Sequence, residues 1–133
     1  MYLLDTNICA YFINNKHPSV TQRFYACEPN DIFISSITAA ELAYGVENSA
    51  HVEANRHNLG DFLALVQVLP WHEKAMWHYA KHKTRLWKAG AKIGELDLLL
   101  GSQALAHEAI FVSNNTREFK RLTGLRLENW AAG

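Results

Sequence analysis

The sequence predicts an α/β fold with a central, mostly parallel sheet of about four or five strands flanked by helices. Short apolar runs of strand length alternate along the chain with longer stretches of helical periodicity. Such alternation is typical of βαβ units, whose strands are parallel. The length of 133 residues is that of one domain, so we expect residues 1–133 to form a single unit.

The individual elements follow from apolar periodicity and from helix and strand breakers. Strands are predicted at residues 2–4, 31–35, 66–69, 109–113 and 125–127. Helices are predicted from the Thr6-Asn7 turn to Phe12 and at residues 19–28, 38–45, 51–66, 72–89, 95–107 and 116–122. The helix at 95–107 is apolar on most faces, which predicts a central position.

Charge is balanced overall but unevenly distributed. Thirteen Lys and Arg face thirteen Asp and Glu, which argues against a protein that coats nucleic acid through a globally basic surface. Residues 1–73 hold three basic and eight acidic side chains, whereas residues 74–133 hold ten and five. The basic stretches between residues 74 and 92 and between 117 and 126 could steer a phosphate backbone. A solvated helix face is an equally good interpretation.

Cysteine usage and hydropathy indicate a cytoplasmic protein. Cys9 and Cys27 are the only cysteines and lie in no ligand-spaced motif, so both are expected to be reduced. No run of 18 apolar residues is present, and Met1 to Leu4 lead into Asp5 without a basic signal region. We therefore expect no membrane association.

Three acids are candidate metal ligands because each lies at the end or the beginning of a predicted element. Asp5 follows the first strand, Glu41 lies in the helix after the second, and Asp97 lies near the start of the apolar helix before the fourth. Parallel sheets bind ligands beyond the carboxyl ends of their strands. Mg²⁺ prefers hard oxygen ligands and binds through a few carboxylates together with substrate phosphates.

Each acid also has a purely structural interpretation. Thr38 to Glu41 form a capping-box pattern, Asp97 suits the helix dipole, and Asp5 could accept a hydrogen bond in a turn. Taken together these interpretations weaken, because Asp5 and Asp97 adjoin apolar segments where an unpaired carboxylate is costly.

Other chemistries fit less well. The pair His72-Glu73 does not extend to H-E-x-x-H, because Met76 occupies the second histidine position, so a zinc site is not favoured. An aspartyl-phosphate phosphatase needs a second acid two residues after Asp5, where Asn7 stands. No Gly-rich phosphate loop is present.

Four sequence blocks resemble the VapC toxins of the PIN-domain family across essentially the whole chain. They are L-L-D-T-N, I-S-S-I-T-A-A-E-L-A-Y-G, I-G-E-L-D-L-L-L-G-S-Q-A-L-A and F-V-S-N-N-T-R-E-F. The resemblance implies a PIN-like fold in which Asp5, Glu41 and Asp97 bind Mg²⁺, with Mn²⁺ as a substitute. It also implies hydrolysis of RNA phosphodiesters to 5′-phosphate and 3′-hydroxyl ends. The resemblance further implies a homodimer that a VapB-type antitoxin neutralises. Promoter DNA is then expected to be contacted only by the antitoxin.

Supporting roles are expected for four polar residues near these acids. Thr6 is expected to position a metal-bound water or to cap the helix, Asn7 to brace the turn, and Ser113 to act behind the ligands. Asn115 stands where the family often has an acid, so it adds an oxygen but no charge and favours one firmly held metal. Asn115 could equally be a helix N-cap, with Glu118 completing the box.

The remaining expectations concern the rim of the site and the substrate. Glu95 is two residues before Asp97 and is expected to point elsewhere, into the rim or an ion pair. Lys92 and Arg117 are expected to contact RNA, for which tRNA is the suggested source. The replacement of the family's I-A by Gly101-Ser102 concerns packing. The alternative function is a non-catalytic PIN-like module that acts by binding antitoxin or RNA.

Overall fold

A computed structural model, which describes residues 1–132, contains a five-stranded sheet in which every neighbouring pair is parallel. The strand order is β3-β2-β1-β4-β5. The strands are β1 (Tyr2–Leu4), β2 (Ile32–Ser35), β3 (Gln67–Leu69), β4 (Ile110–Val112) and β5 (Arg126–Glu128). The predicted α/β class and the predicted strand positions are confirmed, with ends that shift by at most one residue.

Seven α-helices connect the strands within residues 1–132. They are α1 (Thr6–Asn14), α2 (Pro18–Ala26), α3 (Ser36–Glu47), α4 (Val52–Leu63), α5 (Met76–Lys88), α6 (Glu95–Ala106) and α7 (Thr116–Phe119). Two 3₁₀ turns, Pro29–Asp31 and Glu73–Ala75, precede β2 and α5. No helix in this part of the chain is long and apolar enough to cross a membrane.

Several helix boundaries differ from those expected, and local capping explains two of them. The Ser35 hydroxyl accepts a hydrogen bond from the Ile37 amide at 3.1 Å, so α3 begins at Ser36 and not at Thr38. The His72 ring accepts from the Lys74 amide at 3.1 Å and closes a 3₁₀ turn, so α5 begins at Met76 and not at residue 72. The helix expected to reach residue 66 ends at Leu63, and the one expected to reach 122 ends at Phe119.

The central strand β1 faces two apolar cores. Because side chains alternate along a strand, Leu3 and Leu4 point to opposite faces, and both are fully buried. Leu4 packs in a core with Ile8 and Phe24 from α1 and α2, and Leu3 packs in one with Leu98 from α6. The sheet is therefore covered on both sides, as an all-parallel sheet requires.

The same register aligns the polar residues that follow the strands. Leu4 pairs with Ile34 of β2 and with Val112 of β4, so Asp5 and Ser113 each follow a strand end at the same level. The Asp5 amide donates to the Val112 carbonyl at 2.9 Å and fixes this alignment. The chain runs from β1 to β2 on one side and reaches β4 on the other, so the direction of strand order changes between β1 and β4. Crevices for ligands form at such positions.

Candidate metal centre

Asp5 is a buried carboxylate at the carboxyl end of the central strand, with 6% of its surface exposed. It is the N-cap of α1, and its Oδ1 accepts a hydrogen bond from the Ile8 amide at 2.9 Å. Burial raises the pKa of Asp5, and the charge of Glu41 adds to the increase, while hydrogen bonds from Ser113, Ile8 and Asn7 oppose it. The capping interpretation of Asp5 is thus correct, but a carboxylate has further lone pairs for a cation.

Glu41 lies in the second turn of α3 and is half-buried. Its Oε1 accepts a hydrogen bond from the Thr6 hydroxyl at 2.6 Å, and the same hydroxyl lies 3.3 Å from that of the buried Thr38. The capping-box interpretation of Thr38 and Glu41 is wrong, because Ser35 caps α3 and Thr38 lies inside the helix. The interpretation of Thr6 as a cap is wrong for the same kind of reason, since Asp5 caps α1. Thr6 instead holds one oxygen of Glu41.

Asp97 lies in the first turn of α6 and is half-buried. Gly94 is the N-cap of this helix and makes no side-chain capping bond, and a Cβ built on Gly94 would lie 3.5 Å from Asp97 Oδ2. Burial, followed by the charges of Glu118, Asp5 and Glu41, raises the pKa of Asp97 from 3.8 to about 6. Asp97 therefore lies within the electrostatic reach of both of the other expected ligands.

Glu118 is a fourth acid at this site. It lies in α7, is half-buried, and raises the pKa of Asp97 more than any other carboxylate. Its Oε2 accepts a hydrogen bond from the Asn115 amide at 3.1 Å. The sequence predicted only a helix-capping role for Glu118, because a glutamate three positions after an asparagine fits a capping box. Its position near Asp97 depends on the loop that follows β4, which no local pattern reveals.

Asn115 occupies the N-cap position of α7 but makes no side-chain capping bond. Its backbone amide donates to the Ser113 hydroxyl at 2.9 Å, and its side-chain amide donates to Glu118. Ser113 is fully buried. Ser113 thus serves two residues at once, since its side chain also donates to Asp5 and lowers the pKa of that acid. These bonds connect the ends of β1 and β4.

The other polar residues expected near the site occupy its rim or lie outside it. Asn7 is exposed, and its backbone amide interacts with Asp5. Lys92 is exposed, with its Nζ 5.8 Å from the centre of the Trp87 ring, and Arg117 is exposed on α7. Glu95 pairs with Lys83 at 2.8 Å, as expected for a residue in a rim ion pair. The carboxylates and the basic side chains therefore occupy different zones.

The donor set suits a hard divalent cation. Asp5, Glu41, Asp97 and Glu118 come from four different elements, and all of their donors are carboxylate oxygens. Within residues 1–132, no three His, Cys, Asp or Glu side chains already meet at the spacing of a metal cluster. Like charges without a counter-ion repel one another. A bound cation would draw the carboxylates together through side-chain rotation.

An apolar groove begins at Glu41 and leads away from the acids. A cavity of about 330 Å³ between α1, α3 and α4 is lined by Thr6, Glu41 and apolar side chains that include Leu42 and Leu59. It shares Ile13 and Asn58 with a second cavity of about 410 Å³, which ends at the exposed Tyr25. The groove therefore joins an acidic end to an apolar channel.

Comparison with known families identifies the chain. The model of the PIN domain matches residues 2–125. This chain belongs to the PIN-domain family. Its curated relatives include Ribonuclease VapC2 of Rickettsia felis, 43% identical over 132 residues that cover 98% of both chains. Another is the tRNA(fMet)-specific endonuclease VapC of Shigella flexneri, 38% identical over 130 residues and 98% of both chains. The resemblance to VapC ribonucleases is thus confirmed.

Solved structures of PIN-domain relatives share the fold. The chain matches VapBC2 from Rickettsia felis bound to a DNA fragment from its promoter, with a TM-score of 0.91, 41% identity, and coverage of 97% of this chain and 98% of that one. DNA-bound VapBC from Salmonella typhimurium gives a TM-score of 0.90 and 34% identity, with 97% of each chain covered. PIN-domain ribonucleases generally depend on a metal ion, and this chain is a ribonuclease of that family.

Proposed function

We propose that this PIN-domain chain is the toxin of a type II toxin–antitoxin system, and that it acts in the cytoplasm as a Mg²⁺-dependent endoribonuclease. The observation that carries the proposal is the position of Asp97, whose pKa rises to about 6 beside Glu118, Asp5 and Glu41. A buried acid surrounded by acids is costly unless a cation binds there. Because the donors are carboxylates without histidine or cysteine, Mg²⁺ suits them best, and Mn²⁺ is a suitable substitute.

Each residue has a distinct role in the proposed mechanism. Asp5 and Asp97 would hold the metal, which would lower the pKa of water and offset the charge that builds on the phosphate. Glu41 accepts the proton of the attacking water, and Thr6 holds one oxygen of Glu41 so that the other is free for this task. The water oxygen bonds to phosphorus, the bond from phosphorus to O3′ breaks, and the leaving O3′ takes up a proton from solvent water, so that the products carry 5′-phosphate and 3′-hydroxyl ends.

Glu118 changes the expected metal content. A single firmly held ion was expected because Asn115 contributes no charge. Glu118 supplies that missing charge next to Asp97, and Asn115 orients it through the 3.1 Å hydrogen bond. We infer that Asp97 and Glu118 would hold a second ion once RNA phosphates add further oxygen ligands.

The proposed partner is a VapB-type antitoxin, because the structures of VapBC from Rickettsia felis and Salmonella typhimurium show toxins of this fold in complexes. A basic antitoxin side chain would replace the cation among the acids, and an apolar antitoxin segment would occupy the groove from Glu41 to Tyr25. Promoter DNA would be contacted only through the antitoxin. We further propose a homodimer as the toxin's own assembly.

The proposed substrate is tRNA. The VapC relatives from Shigella flexneri and Salmonella typhimurium are tRNA(fMet)-specific endonucleases. Loops of structured RNA expose unstacked bases and a bent backbone, which a shallow cleft with a basic rim can accept. Cleavage of a tRNA loop would halt translation and growth.

The decisive experiment compares cleavage of bulk tRNA by the wild type, Asp5→Asn and Asp31→Asn, with Mg²⁺ and with EDTA. Asp31 is the matched control, because it precedes β2 at the opposite end of the sheet and pairs with the amino terminus at 2.8 Å. We expect cleavage by the wild type and by Asp31→Asn, and none by Asp5→Asn or in EDTA. Cleavage that survives EDTA overturns the metal mechanism. Tight RNA binding without cleavage by the wild type favours the non-catalytic module.

A further inference from the structure

Helix α5 carries an unusual concentration of positive charge for a chain of zero net charge. Its thirteen residues contain four basic side chains and no acid. One of them, Lys83, is neutralised by its ion pair with Glu95. Lys81 and Lys88 are exposed, and no carboxylate within residues 1–132 pairs with either. The helix therefore presents positive charges that no carboxylate within residues 1–132 neutralises.

The unpaired charges share one side of the helix with an exposed tryptophan. Trp77, Lys81, Thr84 and Lys88 follow each other at three- and four-residue spacing, and Arg85 lies four residues after Lys81 on the same side. We call this strip of five residues the α5 outer face. The strip lines a shallow depression of about 490 Å³. The Trp77 side chain is 64% exposed, so its ring face is open for a base to stack on.

Hydrogen bonds to backbone carbonyls hold the guanidinium groups beside this strip. Arg85 donates to the Arg121 carbonyl at 2.6 Å, and Arg121 donates to the Lys92 carbonyl at 3.1 Å. Neither bond neutralises a charge, because each acceptor is an uncharged carbonyl. The bonds connect α5 to the segment after α7 and to the loop before α6. Positive charge thus continues from the α5 outer face to Arg117, which is adjacent in sequence to Glu118.

Helix α5 itself lies beside the start of α6. Tyr79 and Lys83 contact Glu95, the first residue of α6, and Asp97 is two residues further on. At about 100° per residue, the strip lies on the side of α5 opposite these contacts and extends about 16 Å from Trp77 to Lys88. RNA that leaves the acids would therefore reach the strip by passing over the helix.

We propose that the α5 outer face is a docking surface for the RNA backbone next to the cleaved bond, with Lys81, Arg85 and Lys88 binding phosphates and Trp77 stacking on an unpaired base. This inference rests on the proposed ribonuclease function and adds the path of its substrate. Base stacking on an exposed aromatic ring combined with a basic groove is the usual way to hold single-stranded RNA without reading its sequence.

A second copy of the chain is a less suitable occupant. In a two-fold symmetric dimer the same patch meets itself. The α5 outer face carries three cations and no acid, so such a contact would place like charges opposite one another and cost free energy. RNA, in contrast, supplies the negative charge that this surface lacks.

The test measures binding of labelled bulk tRNA in metal-free buffer, with Asp5→Asn as the background so that binding is separated from cleavage. Adding Lys81→Ala and Lys88→Ala should lower the slope of log Kd against log salt concentration by about 2, one unit for each lost phosphate contact. The matched control is Lys16→Ala with Arg56→Ala, which removes the same charge from exposed positions outside both basic stretches. We expect the control to keep the slope of the background protein.

Trp77 is tested in the same assay. Trp77→Ala should weaken binding roughly tenfold through lost stacking, and Trp77→Phe should retain most of the affinity. Tyr44→Ala is the control, because Tyr44 is exposed to a similar extent, 71%. Unchanged affinity and slope in both α5 variants overturn the docking proposal, even if the wild type cleaves RNA. Conversion of a dimer to a monomer by Trp77→Ala in sedimentation analysis also overturns it, and identifies this face as a protein interface.

Discussion

The hydroxyl of Thr6 donates a hydrogen bond of 2.6 Å to Oε1 of Glu41 and thereby ties the first residue of α1 to the second turn of α3. The two helices follow different strands, so this bond sets the position of Glu41 relative to Asp5, the neighbour of Thr6. A group that orients a reactive carboxylate affects catalysis without touching the substrate.

Removing that hydroxyl should slow cleavage and leave the fold intact. We expect Thr6→Val to lower kcat about 10- to 100-fold, and Thr6→Ser, which keeps the donor, to retain most of the rate. The measurement is single-turnover cleavage of tRNA with Mg²⁺, combined with a thermal melt of each variant. Equal rates for Thr6→Val and the wild type would contradict a positioning role for Thr6.

Asp97 should make the metal-free protein less stable as the pH rises through the window from about 4 to 6. Its pKa is raised from 3.8 to about 6 in the folded state, so the folded chain binds more protons than the unfolded chain between these values. Stability from this group is complete below pH 4 and lost above pH 6. Urea unfolding in EDTA should show this decline in the wild type and a smaller one in Asp97→Asn.

Saturating metal should make the wild type more stable than Asp97→Asn, the reverse of the order expected in EDTA. A cation held at a hundred times its Kd stabilises the folded state by about 2.7 kcal/mol. Asp97→Asn removes a ligand, so it should be at least as stable as the wild type in EDTA at pH 7 and less stable in excess Mg²⁺ or Mn²⁺. If metal stabilised both proteins equally, Asp97 would not be a ligand.

Glu118→Gln tests the fourth acid. Because Glu118 raises the pKa of Asp97 more than the other carboxylates do, the neutral amide should bring that pKa down towards its usual range. The same change should weaken Mn²⁺ binding about tenfold. NMR titration of the Asp97 carboxyl and Mn²⁺ calorimetry measure the two effects. Glu108→Gln, an exposed change at the end of α6, is the control and should alter neither.

A side chain at Gly101 should destabilise the protein. A Cβ at this position would lie 2.3 Å from Leu122 Cδ1 and 3.5 Å from the Phe119 ring, so alanine would force the buried Leu122 side chain to shift. We expect Gly101→Ala to lower the free energy of unfolding by about 1–3 kcal/mol. Gly60→Ala is the matched helical control, since nothing lies within 4 Å of its Cβ, and should stabilise by about 0.5–1 kcal/mol. Urea titration distinguishes the two.

The sequence was sufficient to predict the strands and helices but not every contact between them. Alternating apolar runs predicted all five strands, because burial on both faces demands continuous hydrophobic residues such as Ile32 to Ile34. Helix ends were less accurate where capping decided them: the hydroxyl of Ser35 starts α3 two residues before the expected position. Such hydrogen bonds depend on a single atom and leave no periodic signal.

Residues of the candidate metal site could be predicted where they follow the end of a predicted strand. Asp5 was placed correctly because it ends a clear apolar strand. Glu118 was missed because its nearness to Asp97 arises from the packing of α7 against α6, between residues that are distant in sequence. Thr38 was misinterpreted because a capping box and a helix interior can share the same four letters.

The position of β1 at the centre of the sheet has a consequence for synthesis of the protein. Residues 2–4 pair with residues 110–112, and the Ser113 amide donates to Glu128 at the end of β5. Strand β1 therefore waits for a strand more than a hundred residues later in the sequence before its second edge is covered. Since Asp5 reaches Ser113 and the segment that carries Glu118 only after that pairing, the site stays incomplete until β4 has joined the sheet. A cell making this nuclease gains that interval to supply its inhibitor.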